Sequence, residues 1–215
     1  MNSRVVFLHE PDVECGIHRA LDQLGELESL FRGRHVAVKP NETWASNDDL
    51  TACTQADSVR AVIRYVKRFE PKAITVTGGA GAGETDEIFR FLGIDRVIEE
   101  ERVAFRDHNR PPFQAVQLQH GPHREITRHP QCFFDDMHGH IAGMCQRFPI
   151  DLAIIVGPPA MIEKGPIGGR TFESELIIAG RDFGVANLDD MEIAPLSLNE
   201  ARELFERKAA AASSR

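Results

Sequence analysis

Cysteine is scarce and scattered in this chain. Cys15, Cys53, Cys132 and Cys145 are the only four, and no two of them form a C-x-x-C pair. Without paired spacing, a disulfide framework or four-thiolate site is not expected, and free thiols in a reducing compartment follow. Long hydrophobic runs are missing too. The best, Leu152 to Val156, falls far short of the roughly 20 residues that cross a bilayer. The apolar stretch in MNSRVVFLHE is too short for a signal peptide, and a charge follows it at once. Excess positive charge is lacking as well: 25 basic against 33 acidic residues leave a net −8 and a pI near 5.6. A broad nucleic-acid footprint needs a basic face, so neither nucleic acid nor membrane is an expected partner. No low-complexity tract exceeds the tail KAAAASSR from Lys208. A hydrophobic content of 42% in 215 residues suffices for one sizeable core, and a cytoplasmic protein is expected.

Short β-branched runs alternate with amphipathic ones in the first half. Val5–Leu8, His35–Lys39 and Ala73–Thr77 read as strands. Cys15–Phe31 reads as a helix on its Ile17, Leu21, Leu24, Leu27 and Leu30 spacing, stopped by Gly33. Asp57–Phe69 and about Glu84–Leu92 are the next helices, and Asp95–Glu101 a short one whose Glu99–Glu101 end is expected to be a solvated face. Such alternation predicts an α/β fold: a mostly parallel sheet with helices on both faces, Rossmann-like, in a single domain. Val103–Arg106 and Gln114–Leu118 look like strands, and Gly121–Phe134 like loop. A less regular, His-rich segment thus spans about 107–136. Met137, Ile141, Met144 and Phe148 form a helical stripe. Leu152–Val156 reads as a central strand and Leu176–Ala179 as another. Ser197 and Glu200 have capping-box spacing ahead of a closing helix from about Leu198 to Ala211.

Three loops carry candidate chemistry. In TVTGGAGAGETDEIF, Gly78, Gly79, Gly81 and Gly83 link a strand to a helix, where backbone amides and the helix dipole suit an anion. It is not a P-loop, since no Gly-Lys-Ser/Thr follows, and its spacing is poor for a dinucleotide fingerprint. Glu84 and Asp86 oppose an anion, so a tight structural turn stays open as the alternative. In VAVKPNETW, Lys39 ends a strand at the edge where ligands of open α/β sheets bind, with Asn41 beside it. The third loop holds Lys164, Gly165, Gly168 and Gly169 after the LAIIV run. All three are expected to converge on one crevice. Asp107, His108 and Asn109 form a polar trio after a strand, a weaker signal.

Five of the nine histidines fall close together: His120, His123, His129, His138 and His140. His138 and His140 would sit about 200° apart on a helix and cannot face one ion. A divalent metal would need His129 and Cys132 with Asp135 or Asp136. His120, His123 and His129 are the candidate proton-transfer groups, because imidazole titrates near neutrality.

VAVKPNETW at Val36, DSVRAVIRYVKRF at Asp57, AITVTGGAGAGETDEIFRFLGI at Ala73, DLAIIVGPPAMIEKGPIGG at Asp151 and LIIAGRDF at Leu176 together resemble the bacterial and archaeal family called domain of unknown function 362. The resemblance implies an α/β fold and a cytoplasmic protein of undetermined activity. Some relatives carry ferredoxin-like cysteine clusters; this chain does not, so no iron–sulfur cluster is expected. The family's Lys-x-His and Leu-Lys-Asn elements, and its Val-Asp pair after RDF, have no counterpart here. Stretches missing from the chain near 121–127 and 183–186 are expected to account for this.

Two functions follow as expectations. One is an enzyme acting on a small anionic molecule, with Lys39 and the Gly78–Gly83 amides holding the charge and histidine-assisted acid/base or metal chemistry. The other is a non-catalytic ligand-binding or assembly module. A homo-oligomer suits both.

Overall fold

A computed structural model describes residues 3–51, 53–117, 125–126, 143–157, 159–161, 168–181, 191–195 and 197–213. The chain opens with β1 (Ser3–His9), α1 (Val13–Leu24), α2 (Glu28–Phe31) and β2 (His35–Val38). α3 (Ala56–Lys67), β3 (Ala73–Gly78), α4 (Thr85–Leu92), α5 (Ile94–Glu100) and β4 (Ala104–Asp107) follow. Two short pairs, β5 (Val116–Gln117) with β6 (Glu125–Ile126) and β8 (Ala160–Met161) with β9 (Thr171–Phe172), flank β7 (Ala153–Val156). β10 (Leu176–Gly180), β11 (Met191–Pro195) and α6 (Leu198–Ser213) complete the order.

The α/β class holds, but the mostly parallel sheet does not. β2-β3-β4 form a parallel three-stranded sheet with Val36 opposite Ile74 and Val76 opposite Phe105. The other principal sheet, β11-β1-β10-β7, is mixed: β1 runs parallel to β11 but antiparallel to β10, and β7 is antiparallel to β10. The first strand therefore leaves the parallel set, and a Rossmann-like order is not reproduced among the described residues. Among the described residues helices do not cover both faces either. On the parallel sheet Ile74, Val76 and Gly78 are buried on one face, while Ala37, Ala104 and Arg106 are exposed on the other.

Among the described residues Leu152–Val156 is an edge strand rather than a central one, since β7 ends the sheet order and its Ile155 is 58% exposed. A continuous apolar run does not by itself distinguish an edge from a centre. The long helix read from Cys15 to Phe31 is two helices. Gly25 and Glu26 both adopt left-handed φ values, 67° and 50°, which break the helical ladder. Of the strand read over Gln114–Leu118, Val116–Gln117 is strand, Gln114 and Ala115 are not, and Leu118 lies outside the described residues. The expected omissions near 121–127 and 183–186 fall outside the described residues, apart from Glu125 and Ile126.

α1 joins the two sheets. Asp12 caps it by accepting the Cys15 amide at 2.7 Å, and its buried stripe is Ile17, Ala20, Leu21 and Leu24. Burying each of its large aliphatic side chains contributes about 1.5–3 kcal/mol. Gly16 lets α1 lie close to β10: a methyl group there would come within 2.2 Å of Ile177 Cδ1. α1 packs on β1, β10 and α3, and α3 in turn on β2. Val6, Ile17, Val59, Val76, Phe89 and Ile177 consequently belong to one contiguous buried cluster. Polar ties reinforce α1 on α3: His18 Nε2 lies 3.0 Å from the Ala61 carbonyl, and Tyr65 donates to Asp22 at 2.9 Å. At the far end, Ser197 and Glu200 exchange the two bonds of the capping box, at 2.8 and 3.2 Å, starting α6 where its sequence predicts.

Candidate site at the carboxyl edge of the parallel sheet

β2, β3 and β4 all point their carboxyl ends the same way, so the loops that follow them share one rim. Lys39 and the glycine loop do meet there, around a residue that composition and spacing did not single out. Glu42 is 2% exposed. Lys39 Nζ donates to both of its carboxylate oxygens at 2.7 Å, and to the Pro40 carbonyl at 2.9 Å. The Gly79 amide donates to Glu42 Oε1 at 2.8 Å. The anion that the loop and the lysine hold is thus a side chain of the chain itself.

Three further glycine-loop amides are also engaged. Gly81 and Ala82 donate to the Thr43 carbonyl at 3.2 and 3.1 Å, and Ala80 donates to Thr85 Oγ1 at 3.2 Å. Gly83 has a φ of 113°, turning the chain into α4. Asn41 fastens the β2 loop from the other side: its amide donates to Thr54 Oγ1 at 2.9 Å and its Oδ1 accepts from Thr43 at 3.1 Å. Among these residues the glycine loop stitches loops together, which accords with the structural-turn alternative.

β4 supplies the third side. Asp107 is 7% exposed and accepts from Thr85 Oγ1 at 3.0 Å and from the Asn109 amide at 2.8 Å, with Arg110 Nε 3.2 Å away. Asn109 Nδ2 returns to the Ala80 carbonyl at 2.9 Å. His108 donates its amide to the Gly78 carbonyl at 2.6 Å and lays its side chain against Gly79. A methyl group on Gly79 would stand 2.9 Å from His108 Cβ. Gly79 is therefore required by the close approach of His108. Partial burial, and then the Lys39 charge, lower the His108 pKa below the ordinary histidine value, against the opposing pull of Glu42 and Asp107.

The third loop reaches this side through Gly168, whose amide donates to Asp49 in the β2–α3 connection and helps lower the Asp49 pKa, after the larger contribution of Thr51. Gly169 is half-buried. Lys164 and Gly165 lie outside the described residues, as do His120, His123, His129, Cys132, Asp135 and Asp136. Among the described residues no group of three histidine, cysteine or carboxylate side chains is arranged to hold a metal. Cys53 lies beside the rim, its thiol donating to the Trp44 carbonyl at 3.1 Å, and burial raises its pKa. It is a poor nucleophile in that setting.

Glu42, Thr85 and His108 are the residues that a reading for glycines and lysine passes over. The signal for Glu42 was its place three residues after Lys39 in VKPNET. The signal for His108 was the polar trio after a strand. Neither has a composition that sets it apart.

No curated protein and no solved structure matches the chain. Residues 36–133 match the model of a family described as Domain of unknown function (DUF362). The pieces quoted from Asp151 and Leu176 lie beyond that match. β3, β4, all of β2 but His35, and every rim residue from Lys39 to Arg110 lie inside it. The likeness and the loop junction thus coincide, and the chain resembles the domain-of-unknown-function 362 family through the segment that builds this rim.

Proposed function

We propose that the carboxyl edge of the β2-β3-β4 sheet binds a small anionic molecule and that His108 exchanges a proton with it. The observation that carries this reading is the junction of three loops on Glu42 and Asp107, with His108 packed against Gly79. Ligands of open α/β sheets bind outside the carboxyl ends of parallel strands, and a lowered pKa favours the form of His108 that accepts a proton. Lys39, Arg106 and Arg110 supply cationic groups around it. His120, His123 and His129 remain proposed as further proton-transfer groups, and His129, Cys132, Asp135 and Asp136 as a divalent-metal set, on their sequence pattern alone. A cytoplasmic setting is proposed on the same footing.

The test is thermal-shift titration of the wild-type protein and His108→Gln with inorganic phosphate, formate, acetate and malonate. A saturable rise in Tm in the wild type, weakened in the variant, is expected. A wild type unmoved by all four anions overturns the reading.

One observation favours an assembly module as the second reading. Phe7, Ile178 and the exposed Ile155 fall in register across β1, β10 and β7, on the face opposite the buried Val6, Ile177 and Ala179. Concentration-dependent sedimentation of the wild type and Ile155→Lys tests it; a monomer at every concentration removes it.

A further inference from the structure

The rim described above already contains a bound anion, and that anion reports what the seat accepts. Glu42 bridges its own loop, through Lys39, to the glycine loop 37 positions away. Its carboxylate takes two bonds from Lys39 Nζ and one from the Gly79 amide, and only 2% of the residue is exposed. Beneath it the wall is close and apolar: a methyl group on Gly78 would lie 3.4 Å from Glu42 Cδ and 2.8 Å from Phe89 Cζ. A carboxylate presents only the two oxygens that Lys39 and Gly79 engage, whereas a tetrahedral oxyanion brings at least one more into this closed space. Lys39, by contrast, keeps 51% of its side chain exposed, so the seat is reached from the lysine side.

We propose that Lys39, the Gly78–Gly79 backbone and Phe89 form a carboxylate-selective seat that Glu42 fills from within. The anionic ligand of the reading above, on which this inference rests, is accordingly a carboxylate rather than a phosphate. It gains the seat in competition with the Glu42 side chain, whose removal leaves a cationic and amide-lined vacancy sized for one carboxylate.

Chemical rescue tests this. Glu42→Ala is expected to melt well below wild type, and sodium formate or acetate to restore Tm saturably. Sodium phosphate and sulfate at equal ionic strength are expected not to, and Glu42→Ala/Lys39→Met to lose the formate response. If Glu42→Ala does not fold, formate-dependent folding is the same readout. Glu42→Gln gives an independent one, because it removes the charge that holds the His108 pKa up and leaves Lys39 in place. Its His108 resonance should titrate at lower pH than in the wild type. The inference is overturned by rescue with phosphate equal to formate, by a formate response that survives loss of Lys39, or by formate failing in both formats. An unchanged or raised His108 titration in Glu42→Gln also overturns it. A wild type deaf to every anion while Glu42→Ala takes formate would defeat the ligand reading alone. A wild type that binds an anion while the variant ignores formate would defeat the seat alone.

Discussion

The two main sheets are held by different physics. Around the mixed sheet the ties are apolar: Val6, Ile177 and Ala179 press on Ile17 and Leu21 of α1. At the carboxyl edge of the parallel sheet they are polar and directional, running from Lys39 to Glu42 to Gly79 and from Ala80 to Thr85 to Asp107. An apolar contact tolerates a change of shape at equal volume. A buried donor that loses its acceptor has no substitute, and the whole desolvation penalty appears. The rim should therefore be brittle to isosteric changes that the mixed sheet absorbs.

The difference can be broken or sharpened in a descending series. Phe89→Ala removes the ring that supports Gly78 and lies 5.0 Å from Phe105, so it should cost about 3–5 kcal/mol by urea denaturation. Thr85→Val keeps shape but strands the Ala80 amide and takes a donor from Asp107, at about 1–3 kcal/mol. Ile177→Leu, fully buried in the mixed sheet, should cost less than about 1.5 kcal/mol. If the isoleucine change costs more than the threonine change, the contrast between the regions fails.

Smaller effects come from titration. The His108 imidazole should titrate below about 6.5 by NMR, and Lys39→Met should raise that value by removing the nearby charge. Glu101 gives the smallest stability effect. Burial raises its pKa, but bonds from Lys67 and Arg64 outweigh burial and leave it below the ordinary carboxylate value. A carboxylate with a depressed folded pKa stabilises above its unfolded pKa, and loses that contribution as pH falls through the folded one. Glu101→Gln should therefore lower Tm by a small amount near neutrality, worth at most about 1 kcal/mol because the basic partners are solvent-exposed. The gap from wild type should close in acid.

Glu101 also shows where local reading stops. Glu99–Glu101 was expected to be a solvated acidic face, yet the Glu101 side chain is only 11% exposed and draws in Arg60, Arg64 and Lys67 of α3. Nothing in the run of three glutamates distinguishes the third from the first. The same holds for LAIIV, whose apolarity marks a strand but not its position in a sheet.

What the sequence by itself determined is the set of elements whose cause is local. Periodicity placed α3 and α4, the β-branched runs placed β2 and β3, and the Ser197–Glu200 pair started α6, because each depends on residues within one or two turns. It also placed Lys39 and the glycine loop at strand ends. Only the tertiary structure decided that β1 pairs with β10 and β11 instead of β2, and that Glu42 closes the space between Lys39 and Gly79. Strand partners and buried ion pairs are chosen by contacts between residues far apart in the chain, 37 positions in the case of Glu42 and Gly79, and no local pattern encodes such a meeting.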